Sequence, residues 1–159
     1  MDYLYSPWRM KYIKSHKTQD GCVFCNALEM DDSPENLIAF RGERAFVILN
    51  RFPYTSGHLM ILPYDHQSAL ESLAPETRAE MMELTSRGTR TLQGIYSPQG
   101  FNIGINQGAA AGAGIEQHIH IHIVPRWNGD TNFMTSVGGT RVLPEELAET
   151  WERVREAWI

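Results

Sequence analysis

Gln117-His118-Ile119-His120-Ile121-His122-Ile123-Val124-Pro125-Arg126 is the stretch on which the reading of this chain turns. Side chains of an extended strand alternate between its two faces. His118, His120 and His122 therefore share one face, and Ile119, Ile121 and Ile123 share the other. The isoleucines give the strand a reason to be buried, packed under a helix. The opposite face carries three imidazoles side by side. A hydrophobic core does not need them, whereas a reaction centre or a metal site does. The run is internal and closed by Val124-Pro125-Arg126, so it is not an affinity tag.

The segments before and after it set the fold class. Leu37 to Phe40 and Ala45 to Leu49 read as two strands joined by a turn at Arg41-Gly42-Glu43-Arg44. A loop from Asn50 to Gly57 leads into a third strand, His58 to Pro63. From Pro75 to about Tyr96 the period changes: Met81, Met82, Leu84, Leu92 and Ile95 recur at helical spacing, with Pro75 placed for a first turn. Phe101 to Ile105 is a fourth strand and His118 to Val124 a fifth. A last helix, roughly Pro144 to Trp158, carries Leu147, Trp151, Val154 and Trp158 on one side. Strands and helices come in segregated groups joined by short turns. That order implies an α+β domain on a five-stranded antiparallel sheet, with a long helix and a C-terminal helix.

Composition narrows the function. At 159 residues, 42 % apolar and 21 % charged, the chain has the size and balance of one globular domain, read as residues 1–159 with an N-terminal arm over about 1–20. The arm mixes Arg9, Lys11, Lys14 and Lys17 with Tyr3, Tyr5, Trp8 and Tyr12: a solvated basic face, or a contact to a second nucleotide or a partner subunit. It lacks the apolar stretch of a secretory signal, no run approaches a membrane span, and two cysteines three residues apart make no disulfide framework. A cytoplasmic location without a membrane partner is the expectation. Fourteen basic against nineteen acidic residues give a formal charge of −5, which opposes nucleic-acid binding. Any phosphate must be bound locally, by oriented neutral donors. The charge points to a small molecule.

Four separated pieces, in order, carry a resemblance: Cys22-x-x-Cys25, Asn50 with Ser56-Gly57-His58, Pro63-x-x-His66, and the three histidines ending in Pro125-Arg126. Together they resemble the histidine-triad family of nucleotide hydrolases and transferases, from Cys22 to Trp127. Asn106-Gln107-Gly108, the small-residue run to Gly114, and Trp127 to Phe133 look most like the branch acting on dinucleoside polyphosphates such as diadenosine tetraphosphate.

The resemblance implies that His120 attacks the α-phosphorus and becomes a nucleotidyl-histidine. Imidazole chemistry agrees, because a ring with a pKa near 6.5 is largely neutral at cytoplasmic pH. Its far nitrogen must donate to a fixed acceptor so that the attacking nitrogen is bare. His122 is implied to bond phosphate oxygens or the leaving group, as an imidazolium if it is charged. Gln107 is implied to donate its amide to the phosphates, and the backbone N–H groups of Gly108 to Gly114 can approach an anion closely. Asn50 is implied to bond the ribose and Ile48 to pack against the base; Asn106 and Gln117 complete the expected nucleotide contacts. His58 falls near the site, as a participant or as a support. Arg126 neutralises leaving phosphates or simply ends the strand; His16 has no assignment.

Cys22, Cys25, His66 and His118 form a second constellation. Two thiolates and two imidazoles suit tetrahedral zinc, and several branches of the family bind a structural zinc at these positions. The competing reading is two reduced cysteines with His118 bonded to a neighbour. The expected activity is nucleotidyl transfer to water, phosphate or another acceptor. A nucleotide-binding, zinc-stabilised module with negligible turnover is the alternative, and a homodimer is what the resemblance implies.

Overall fold

The computed structural model describes residues 21–131, 137 and 143–159. The N-terminal arm, His16, Asn132 and Phe133 lie outside them. The elements in chain order are α1 (Val23–Leu28), β1 (Ile38–Arg41), β2 (Ala45–Leu49), β3 (Leu59–Pro63), α2 (Pro75–Tyr96), β4 (Gly100–Ile105), β5 (Ile121–Arg126) and α3 (Leu147–Ala157). The five strands form one sheet in the order β1-β2-β3-β5-β4, every pair antiparallel. The α+β expectation and its five strands hold.

α2 starts with Pro75 in its first turn and ends on Ser97 in the left-handed region. Its inner face is Thr77, Met81, Leu84, Thr85, Gly88, Thr91 and Leu92. Gly88 explains how closely helix and sheet meet: a Cβ there would lie 3.0 Å from Cδ1 of Ile123. The isoleucine side of the histidine strand thus packs against the long helix, and Ile119, Ile121 and Ile123 are all buried. Burying each such side chain stabilises the fold by about 1.5–3 kcal/mol. α3 covers the outer edge, where Trp151 Nε1 donates to the Ile38 carbonyl at 2.8 Å and Trp158 stacks on Phe40.

Several boundaries differ from expectation, each for a local reason. β1 begins at Ile38 because Leu37 adopts φ +64, a left-handed conformation that no extended ladder accommodates. The laddered part of the histidine strand begins at Ile121 rather than His118. Continuing the β3–β5 register would set Ile119 against Pro63, which has no N–H, and the Pro63 carbonyl is taken by His118 Nε2. Ile119 N–H bonds Gln67 O instead, at 2.7 Å. His118 to His120 are thus a lead-in to the strand, and the alternation survives in it. Of the apolar residues read at helical spacing, Met82 is 60 % exposed because Met81 beside it takes the core position. The last helix starts at Leu147 rather than near Pro144. Finally, α1 was not anticipated at all.

Candidate active site

Strand register builds the site. Ile48 faces Met60, Met60 faces His122, and His122 faces Gly104, so these four residues form one row across the sheet. Asn50 follows Ile48 by two residues and His58 precedes Met60 by two, which brings both toward the same neighbourhood.

The histidines are held by bonds that fix where each proton sits. His120 Nδ1 donates to the His118 carbonyl at 2.8 Å, which leaves the lone pair on Nε2. His120 is only 5 % exposed. Burial is the largest influence on it and pushes its pKa below the usual histidine value, more than the bond to His118 O raises it. Part of that burial is Phe24, whose ring centroid lies 5.4 Å from His120 and 5.6 Å from His118. The rings of His120 and His122 meet edge to face at 4.7 Å.

His122 is oriented by His58. Tyr54 N–H donates to His58 Nδ1 at 3.2 Å, so the His58 proton resides on Nε2. That Nε2–H points at His122 Nδ1, 3.0 Å away, which places the proton of His122 on its own Nε2. Asn50 Oδ1 accepts the Phe52 N–H at 2.9 Å, which leaves its amide nitrogen 3.5 Å from His58 Nε2, donor beside donor and so without a bond between them. Gly57, at φ +76, makes the return into His58; a Cβ there would meet Leu92 at 2.8 Å.

Two hollows flank these groups. A cavity of 1140 Å³ is lined by Tyr54, Asn102, Gly104, Asn106, His122 and Arg126, among others. Another, of 660 Å³, is lined by Val23, Ser68, Gln107, Gly108, Gly114 and Gln117, among others. The structure therefore brings His118, His120, His122, Ile48 and Asn50 together, sets Asn106 in the larger cavity, and sets Gln107, Gly114 and Gln117 in the smaller one. Gln107 is engaged: its Oε1 accepts the Leu70 N–H at 3.0 Å and its Nε2 donates to Glu71 at 3.2 Å. To serve a phosphate, its amide must leave that clasp.

The second constellation also comes together. One donor atom each from Cys22, Cys25, His66 and His118 lies within 4.8 Å of the others. His118 Nε2–H donates to Pro63 O at 2.9 Å, so the Nδ1 lone pair faces Cys22 Sγ at 3.5 Å and Cys25 Sγ at 3.7 Å. Burial opposes ionisation of Cys22, yet its contact with His118 and the hydrogen bonds from the backbone N–H groups of Cys25 and Phe24 draw its pKa down to about 6. Burial and the neighbouring Cys22 push Cys25 up. His66 Nδ1 sits 3.3 Å from Cys25 Sγ. Two sulfurs and two imidazole nitrogens at this spacing could hold a metal ion.

Sequence reasoning left three features unread. The role of His58 toward His122 depends on a pairing 64 residues apart. Tyr54 stands against His58, ring centroids 4.6 Å apart, from a loop whose path is not encoded by any period. Arg126 is locked to Asp130 at 2.6 and 2.9 Å and to Asn102 at 2.7 Å; only its four-residue spacing to Asp130 was a signal.

An antiparallel sheet that carries three alternating histidines, the last of them lining an open cavity, defines a histidine-triad protein. The HIT domain family model matches residues 32–129, and the chain belongs to that family. It is 36 % identical over 163 residues to AP-4-A phosphorylase of Mycobacterium tuberculosis, covering 98 % of this chain and 83 % of that protein. A Zn-bound histidine triad family protein from Mycobacterium smegmatis is 32 % identical with a TM-score of 0.69, over 87 % of this chain and 93 % of that one. Adenylylsulfatase HINT3 of Arabidopsis thaliana is 33 % identical over 118 residues, 74 % of this chain and 58 % of that protein.

Proposed function

We propose that this chain is a nucleotidyl hydrolase or transferase that cleaves the α-phosphoanhydride of dinucleoside polyphosphates through a covalent intermediate on His120. The observation that carries the reading is the bond from His120 Nδ1–H to His118 O, which leaves a buried, unprotonated Nε2 next to His122. The Nε2 lone pair attacks the α-phosphorus. The bond from that phosphorus to the bridging oxygen breaks, and its electron pair departs with the polyphosphate. Water or inorganic phosphate then attacks the phosphorus and returns the electron pair to Nε2. His122 Nε2–H donates to the phosphate oxygens as their charge develops. Asn50 and Ile48 hold the transferred nucleoside, with Asn106, Gln107, Gly114 and Gln117 as further contacts. The M. tuberculosis relative supports the substrate class by its name and by its match over nearly the whole chain.

The metal-type cluster reads as a structural zinc site made by Cys22, Cys25, His66 and His118. The M. smegmatis relative, which is Zn-bound, supports that choice of metal. When bound, zinc pins α1 to the lead-in of β5 and takes no part in the reaction. The chain as a whole reads as one histidine-triad domain over residues 1–159 with an arm at about 1–20, cytoplasmic and homodimeric. Exposed Ile103 on the edge strand β4 supports a partner there. No helix among the described residues is long and apolar enough to cross a membrane.

The test is to incubate the protein with a panel of dinucleoside polyphosphates, quench with base, and look for an acid-labile nucleotidyl-histidine. Product analysis with and without phosphate separates phosphorolysis from hydrolysis. Tight nucleotide binding without turnover or adduct would overturn the enzymatic reading in favour of a binding module.

A further inference from the structure

Arg126 is the cation on the histidine face of β5, and the sequence leaves its role open between phosphate neutralisation and simple strand ending. The structure spends it elsewhere. Its Nε and Nη2 hydrogens go to the two carboxylate oxygens of Asp130, and Nη1 donates to Asn102 Oδ1. The pairing with Arg126 holds the Asp130 carboxyl down to about 2, so the brace is ionised on both sides at any working pH. What remains is the other end of the Asn102 amide. Because Oδ1 faces a guanidinium N–H, the –NH2 group must face the opposite way; a flipped amide would set donor against donor. It donates to no described residue.

Asn102 pairs with Val124 on the sheet, two residues beyond the pairing of Gly104 with His122. It stands on the same face, at about 7 Å along the strand from the level of His122. Gly104 between them keeps the way clear: a Cβ there would meet nothing within 4 Å. All of these residues line the 1140 Å³ cavity.

We infer that the Asp130–Arg126 brace orients Asn102 as a neutral donor for the leaving polyphosphate, making Asn102 a residue that selects substrates by their leaving group. This rests on the nucleotidyl-transfer reading above. A neutral donor suits the task. The departing chain is strongly anionic, and an unpaired guanidinium in its place would hold the product as firmly as the substrate. The amide gives direction without trapping charge.

The experiment compares two substrates that place the same adenylyl group on His120 but differ in what leaves: diadenosine tetraphosphate and the p-nitrophenyl ester of AMP. Asn102→Ala should lower the ratio of their kcat/KM values by about 10- to 100-fold, the range expected for one hydrogen bond to a charged group. Asn102→Asp retains the bond to Arg126, and so tests the fold as well, but replaces the donor with a negative oxygen; it should lower the ratio further. In the same variants, product inhibition by ATP should weaken while inhibition by AMP holds. An unchanged ratio, or equal losses on both substrates, overturns the inference and leaves the nucleotidyl chemistry standing. A wild-type protein that consumes neither substrate and forms no adduct overturns both.

Discussion

The two ends of the histidine strand are built on opposite principles. At its entry, His118 is fully buried and faces two cysteines and a second imidazole, donors with few protons to spare and lone pairs converging on one point. At its exit, Arg126 is about half exposed and meets Asp130 and Asn102, groups that satisfy one another without any ion. The entry has the donor set of a metal site; the exit pairs its charges without one. His120 lies between them, its ring edge to face with that of His122, which lines the open cavity.

Removing the centre has the largest effect. His120→Ala should lower kcat by about 10⁴-fold or more while nucleotide binding is retained, as a steady-state assay beside a binding titration would reveal. Turnover in that variant would put the nucleophile elsewhere. Next comes the entry. Metal analysis of protein purified without chelator should give about one zinc per chain, and stripping it should lower Tm on the order of 10 °C. A metal-free protein of unchanged Tm would erase the contrast between the two ends.

A smaller effect belongs to the support of His122. His58→Ala should cost about 10- to 100-fold in kcat with little change in KM, because the ring proton of His122 loses its assigned nitrogen. Equal changes in both constants would make His58 a binding residue instead. The exit gives the least. Asp130 has a depressed pKa in the fold, so its contribution to stability is present above the unfolded value of 3.8 and is lost as pH falls through about 2. Urea melts of Asp130→Asn should show a deficit of about 1 kcal/mol or less, constant from pH 5 to 8 and vanishing toward pH 2. A deficit growing on acidification would reverse that sign.

Much of this was legible in the sequence because it follows short periods. The alternation at residues 118–123 placed three imidazoles against three isoleucines, and the helical recurrence from Pro75 to Tyr96 gave α2 its bounds. Of the four metal-type ligands, the cysteines were marked by their C-x-x-C spacing and the two distant histidines by the family resemblance. What stayed hidden depends on single conformations or on distant partners. Six residues of α1 cannot display a helical period. The left-handed Leu37 has no signal in its identity, and the late start of β5 follows from which residue lies opposite it. Gln107 was expected from the family resemblance, whereas its clasp on Leu70 and Glu71 is set by how two loops meet.

The chain of bonds from Tyr54 N–H through His58 to His122 has a consequence for which compounds can react. It begins at a peptide nitrogen, which surrenders no proton, so these bonds fix which nitrogen of His122 carries hydrogen and leave its replacement to the open cavity that His122 lines. Such an arrangement favours a departing anion that needs no proton. Leaving groups that are already weak bases, as phosphate chains are, would then be expelled readily, and amines would lag behind them.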